Sequence, residues 1–188
     1  MGRSFLKNNI MIIDKKLTQP IVDWCLHSPN RQRYFRDPGY HSGNVLGQTH
    51  LEYVNPKFLT AEFPYAELFE IQKIILQYYN FKDFYMDQEF GIMISYSEAG
   101  HEVHEHIDKN HRLADIHTRI NLMISKPEKG GLAVINKKII DVEENEPWLC
   151  AAGHYKHSST KVEGKTPRVV ISFGYQVNKE ELKEKKWI

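Results

Sequence analysis

Cysteine is scarce in this chain: there are two in 188 residues, Cys25 and Cys150, each inside an apolar stretch. That argues against a disulfide-stapled scaffold, and buried free thiols in a reducing compartment, the cytoplasm, are the expectation. Long hydrophobic runs are missing as well. No stretch of about 18 apolar residues is present to span a bilayer, and the amino terminus lacks the apolar region of a secretory signal, so no membrane role is expected. Charge of one sign is also lacking, since 25 Lys and Arg stand against 24 Asp and Glu for a net charge of +1. Nothing global therefore favours a nucleic-acid partner. With no internal repeat, low-complexity tract or linker-like segment, residues 1–188 read as a single domain, helical over about 1–83 and β-rich over about 84–178.

What is present is periodicity that changes along the chain. Residues 9–13 are expected to form a short apolar strand. Asp14 and Thr18 then offer capping side chains to a helix with Leu17, Ile21, Trp24 and Cys25 on one face, ending before Pro29. From 30 to 60 the pattern is irregular, and from 65 to 79 helical spacing returns through Leu68, Ile71 and Ile75. Beyond Phe84, short strands are expected at about 84–96, 102–108, 117–125, 131–142, 147–152 and 168–177. Hairpin turns are expected at 126–131 and 136–138, and a solvated terminal helix at 179–187. None of these strands is long enough to bury a face alone, so each must pack against others in a sheet.

Ten histidines occur, and their spacing is informative. In extended chain, His106 and Asp108 point to one side, so a single pleat delivers an imidazole and a carboxylate as neighbouring metal ligands. His157, at the entrance to the apolar strand that Arg168 opens eleven positions later, is a third candidate. Two alternatives stand beside this set. His104 shares the pleat, so His104-x-His106 is itself a possible ligand pair, and His154 lies three positions before His157. Two imidazoles and a carboxylate form the facial triad of a non-haem Fe(II) oxygenase, with open positions for co-substrate and dioxygen.

The order His106-x-Asp108, His157, Arg168 resembles the Fe(II)/2-oxoglutarate-dependent dioxygenase superfamily over approximately residues 88–178. The resemblance implies a double-stranded β-helix, related to jelly rolls and cupins, buttressed by the amino-terminal helices. It implies His106, Asp108 and His157 as Fe(II) ligands and Arg168 as the cation for the far carboxylate of 2-oxoglutarate, with Thr166 assisting. It also implies Tyr96 as a co-substrate contact. Val170 stands where some members carry a Ser that shares that carboxylate. Asn121 and Arg119, two apart on one strand face, are candidates to hydrogen-bond co-substrate or substrate. The activity implied is hydroxylation of an unactivated C–H bond using Fe(II), 2-oxoglutarate and dioxygen. Other readings are a cupin-like metal site at His104 and His106 and a non-catalytic β-barrel binding module.

For substrate recognition the candidates are residues 31–41, where arginines alternate with aromatics, and the loop 109–117 after the metal pair. The glycine turn before His-x-Asp is similar to the prolyl hydroxylase branch, which usually has Lys at the place of Arg168. A peptide side chain or a small molecule is the expected substrate.

Overall fold

A computed structural model of the chain describes residues 11–28, 48–52, 62–88 and 91–188. Its first helix, α1 (Lys15–His27), is capped by Asp14, whose carboxylate accepts from the Lys16 amide at 2.9 Å. The second, α2 (Tyr65–Tyr79), ends where Asn80 takes a left-handed conformation, φ 50°, that asparagine tolerates better than most residues.

The main sheet contains β1 (Gln48–Glu52), β2 (Phe84–Met86), β3 (Ile92–Ser97), β4 (Asp115–Ser125), β8 (Pro147–Cys150) and β11 (Arg168–Asn178). Its order is β1-β3-β11-β4-β8, with β2 also paired to β11, and every pairing is antiparallel. Smaller sheets join β6 (Ala133–Ile135), β7 (Lys138–Ile140) and β9 (His157–Ser159), and β5 (Lys129–Gly130) with β10 (Val162–Glu163). The chain has the double-stranded β-helix fold, with helices on one outer face.

Alternation along the central strands explains the layering. Ile92, Ile94, Ile120, Leu122, Ile171, Phe173 and Tyr175 point outward, where they form one core with Ile21, Trp24, Leu68, Ile71 and Ile75 of the two helices. Burying each large aliphatic side chain contributes about 1.5–3 kcal/mol. The intervening residues of the same strands face the other sheet, where Met123, Trp148, Val170, Ala133 and Val142 make a smaller core. Because both faces are covered, ten of the eleven residues of β11 are buried.

Several expected boundaries shift. The strand at 84–96 is two strands, and part of the irregular stretch 30–60 is β1, which the sequence hides because Gln48–Glu52 is largely polar. The remainder of that stretch, residues 31–41 included, lies outside the described residues, as does the start of the strand expected at 9–13, whose described residues 11–13 are irregular rather than a strand. Asn136 (φ 49°) and Lys137 (φ 63°) form the expected tight turn between β6 and β7. The expected hairpin at 126–131 is instead a crossing. Its β5 pairs with β10, and Gly130 (φ 70°) sits so close to the Lys161 carbonyl that a Cβ would lie 1.8 Å from that oxygen. The terminal helix α3 is shorter than expected, Lys179–Glu184, and Glu181 reaches back to accept from the Lys82 and Asp83 amides. No helix among the described residues is long and apolar enough to cross a membrane.

Candidate metal centre and its cavity

The segment 101–110 forms no ladder and joins the small sheet through one antiparallel bridge at His106 and the bonds between Val103 and Ser159, so the strand expected at 102–108 is an irregular edge segment. His106 and His157 exchange backbone hydrogen bonds, N–H to O, at 3.0 and 2.9 Å, and the Asp108 amide donates to Ala152 O at 3.0 Å. These bonds bring residues 51 positions apart in sequence, His106 and His157, to one point. His106 Nε2 lies 3.4 Å and His157 Nε2 3.8 Å from Asp108 Oδ1, and the potential ligand atoms of all three residues fall within 4.8 Å of one another. Among the described residues this is the one such cluster of three or more histidine, cysteine or acidic side chains.

The donor set fits a divalent metal. His106 Nδ1 lies 2.7 Å from the His104 carbonyl and His157 Nδ1 3.2 Å from the Tyr155 carbonyl. A carbonyl only accepts, so each Nδ1 carries a proton, which leaves Nε2 of each ring as the atom that would turn a lone pair to a metal. On the carboxylate, Arg119 Nε donates to Oδ2 at 2.7 Å, which leaves Oδ1 facing the imidazoles. Burial first, and then the neighbouring His106, lowers the His157 pKa to about 4, so the ring is neutral at neutral pH. Burial would raise Asp108, but the His106 hydrogen bond and the charges of Arg119, His117 and His157 win and hold it well below the ordinary carboxylate range. For His106 burial pulls downward and is outweighed by its bonds to Asp108 and the His104 carbonyl, leaving its pKa raised.

A cavity of about 120 Å³ opens beside the triad, lined by His106, His157, Arg119, Asn121, Trp148, Cys150 and, from the neighbouring strands, Ser95, Val170 and Arg168. Arg168 is 5% exposed, and its Nε donates to the Gly131 carbonyl at 2.7 Å. Burial alone lowers its pKa, to about 10, with no anion opposing the shift, so the guanidinium is charged and lacks a carboxylate partner among the described residues. Ser95 and Ser97 stand directly across the β3–β11 pair from Val170 and Arg168, and their buried hydroxyls also lack a hydrogen-bond partner. A buried cation next to orphaned hydroxyls is a cradle for a small anion.

Not every sequence candidate reaches this cavity. Tyr96 is on the wrong face of β3: it packs with Ile92 and Ile94 against the helix-side core, and its hydroxyl donates to Glu98 at 3.2 Å. Thr166 is also elsewhere, bonded through its hydroxyl to Glu128 at 2.9 Å. Asn121 does line the cavity, and Arg119 faces it while engaged with Asp108 and with the Ser172 hydroxyl. His104 and His154 are both exposed and outside the ligand cluster; His104 supplies a carbonyl to His106, and the His154 ring packs on Tyr155. The loop 109–117 is shorter than expected, because Asp115 already belongs to β4. Sequence reading missed Ser95, Ser97, Cys150 and His117. The alternation in Ile92–Ser97, apolar on one side and Met-Ser-Ser on the other, was the signal for the two serines.

A scan against protein-family models and a search of curated proteins find no match to this sequence. Solved structures do match in shape. They include a prolyl-4-hydroxylase from Pseudomonas putida, with TM-score 0.60 and 12% identity, covering 91% of each chain. Another is HygX from Streptomyces hygroscopicus with nickel and 2-oxoglutarate bound, with TM-score 0.58 and 9% identity over 88% of this chain and 80% of that one. A third is a prolyl hydroxylase from Trichoplax adhaerens in complex with a peptide fragment of the hypoxia-inducible factor oxygen degradation domain, with TM-score 0.57 and 12% identity over 93% and 86%. At such low identity the likeness establishes the fold.

Proposed function

We propose that this chain is an Fe(II)- and 2-oxoglutarate-dependent dioxygenase that hydroxylates an unactivated C–H bond. One observation carries the reading: a metal-competent His106, Asp108, His157 cluster shares one small cavity with a buried, uncompensated Arg168. Such a cavity is suited to a short dianion that chelates at one end and ion-pairs at the other. HygX, of the same fold, holds 2-oxoglutarate and nickel together.

His106, Asp108 and His157 would hold Fe(II), and Arg168 with Ser95 and Ser97 the distal carboxylate. Iron with bound 2-oxoglutarate and dioxygen supplies the oxidising chemistry, in which the keto acid leaves as succinate and CO2 and one oxygen atom ends on the substrate. The chain's own part is orientation and dryness. Trp148, Val170 and Met93 wall the cavity from water, while Asn121 offers an amide to whichever ligand lies over β4. The substrate we assign is a peptide side chain, a reading supported by the peptide in the Trichoplax complex. A small molecule uses the same machinery.

Anaerobic calorimetric titration of 2-oxoglutarate into the protein, with and without Fe(II), tests this. Binding should require the metal. Equal binding without it would contradict the chelate, and no binding in either condition would favour an inert barrel module.

A further inference from the structure

We infer that Arg119 is a positioning residue for the metal ligand Asp108, holding the carboxylate turned so that Oδ1 is the metal-facing atom; this rests on the oxygenase reading above. A carboxylate on an edge segment with one bridge to its sheet is free to rotate unless something fixes it. Arg119 does so from the middle of β4, a strand buried on both faces. Its Nε donates to Asp108 Oδ2 at 2.7 Å, and a terminal amino group donates to Ser172 Oγ at 3.2 Å, so the guanidinium plane is tied at both sides. His117 Nδ1 lies 3.5 Å from the same Oδ2, so two groups address one oxygen and leave the other to the imidazoles.

The arrangement extends one layer further. Asp87, wholly buried, lies 3.8 Å from His117 Nε2 and 3.4 Å from His111 Nε2, and is itself fixed by a 2.7 Å bond from Gln176 Nε2. A second carboxylate thus stands behind the imidazole that faces Asp108, near enough to act on it by charge but beyond hydrogen-bond reach of its Nε2. The other assignment for Arg119 is a co-substrate cation like Arg168. The two differ in geometry: among the described residues Arg168 donates through its Nε to a neutral carbonyl and has no anion beside it, whereas Arg119 already pairs with a carboxylate.

The test is an anaerobic titration of Fe(II), followed by 2-oxoglutarate at saturating metal, on the full chain in wild type, Arg119→Gln and Arg119→Lys. Loss of an outer partner of a metal ligand typically costs about 10–100-fold in metal affinity, and that loss is expected for Arg119→Gln. Arg119→Lys, which keeps a donor and the charge, should recover part of it, a rescue that a purely structural role would not give. Near-ultraviolet circular dichroism of the metal-free proteins checks folding, and if Arg119→Gln does not fold, Arg119→Lys alone decides through an affinity below wild type. Wild-type metal affinity in the folded variants overturns the inference. So does unchanged metal affinity with a fall in 2-oxoglutarate affinity, which would make Arg119 a co-substrate cation. Failure of wild type itself to bind Fe(II) overturns the oxygenase reading, and this inference with it.

Discussion

On the proposed function, replacing Arg168 is the sharpest perturbation of the cavity's cationic end. Arg168→Ala removes a buried charge whose one partner among the described residues is the Gly131 carbonyl. Truncating one member of a buried charged pair costs about 2–5 kcal/mol, which is about thirtyfold to several thousandfold in affinity. Here the lower half of that range applies, because the Ser95 hydroxyl, which lines the same cavity and has no hydrogen-bond partner among the described residues, would still be available to the proposed carboxylate. A loss on the order of a hundredfold in 2-oxoglutarate affinity is expected from the lower half of that interval. Arg168→Lys keeps the charge but gives up the planar fork and the Nε–H that satisfies Gly131, so a loss of roughly tenfold is expected, with lowered stability of about 1–3 kcal/mol from the orphaned carbonyl. Fe(II) affinity should hardly change, since Arg168 does not touch the triad. Anaerobic calorimetry on the iron-loaded proteins reads both numbers. Unchanged 2-oxoglutarate affinity in Arg168→Ala would refute the reasoning and move the carboxylate to another cation.

Three further outcomes are expected. His157→Ala should lose stoichiometric Fe(II) in an anaerobic titration while His154→Ala, altered at an exposed ring, keeps it; the reverse pattern would exchange their roles. Tyr96→Phe should leave 2-oxoglutarate affinity within about twofold, well under the 1.4 kcal/mol that a tenfold change represents, because the hydroxyl contacts Glu98 on the far side of β3; a large loss by the same titration would bring Tyr96 back into the site. Gly130→Ala forces a Cβ to 1.8 Å from the Lys161 carbonyl at a φ of +70° and should lower the melting temperature, with a cost above about 1 kcal/mol; an unchanged melting curve would contradict the close crossing of β5 and β10.

The parts of the fold that the sequence disclosed are those where burial writes a period. The helix faces with Ile21, Trp24, Leu68, Ile71 and Ile75, and the long strands β4 and β11, were legible because each presents a run of apolar residues to the shared helix-side core. Strands at Gln48–Glu52 and His157–Ser159 were not, since polar side chains on edge positions leave no hydrophobic alternation to read. At the site, the shared side of His106 and Asp108 followed from the two-residue repeat of extended chain, whereas the twin bonds that seat His157 opposite His106 are long-range and leave no local trace. Tyr96 shows the opposite error. Its place was carried over from a family pattern, although the parity of Ile92, Ile94 and Tyr96 already set it on the helix-facing side and gave the cavity to Ser95.

The central claim is that one cavity couples Fe(II) to 2-oxoglutarate, and the most direct measurement is the formation of succinate from 2-oxoglutarate in air-saturated buffer with Fe(II), without any added substrate. Slow, dioxygen-dependent succinate formation by wild type is predicted, together with its loss in His106→Ala, whose side chain offers one of the three potential ligand atoms and belongs to neither core. Succinate formation at the wild-type rate in His106→Ala, or none by wild type with Fe(II) and 2-oxoglutarate both bound, would contradict the account.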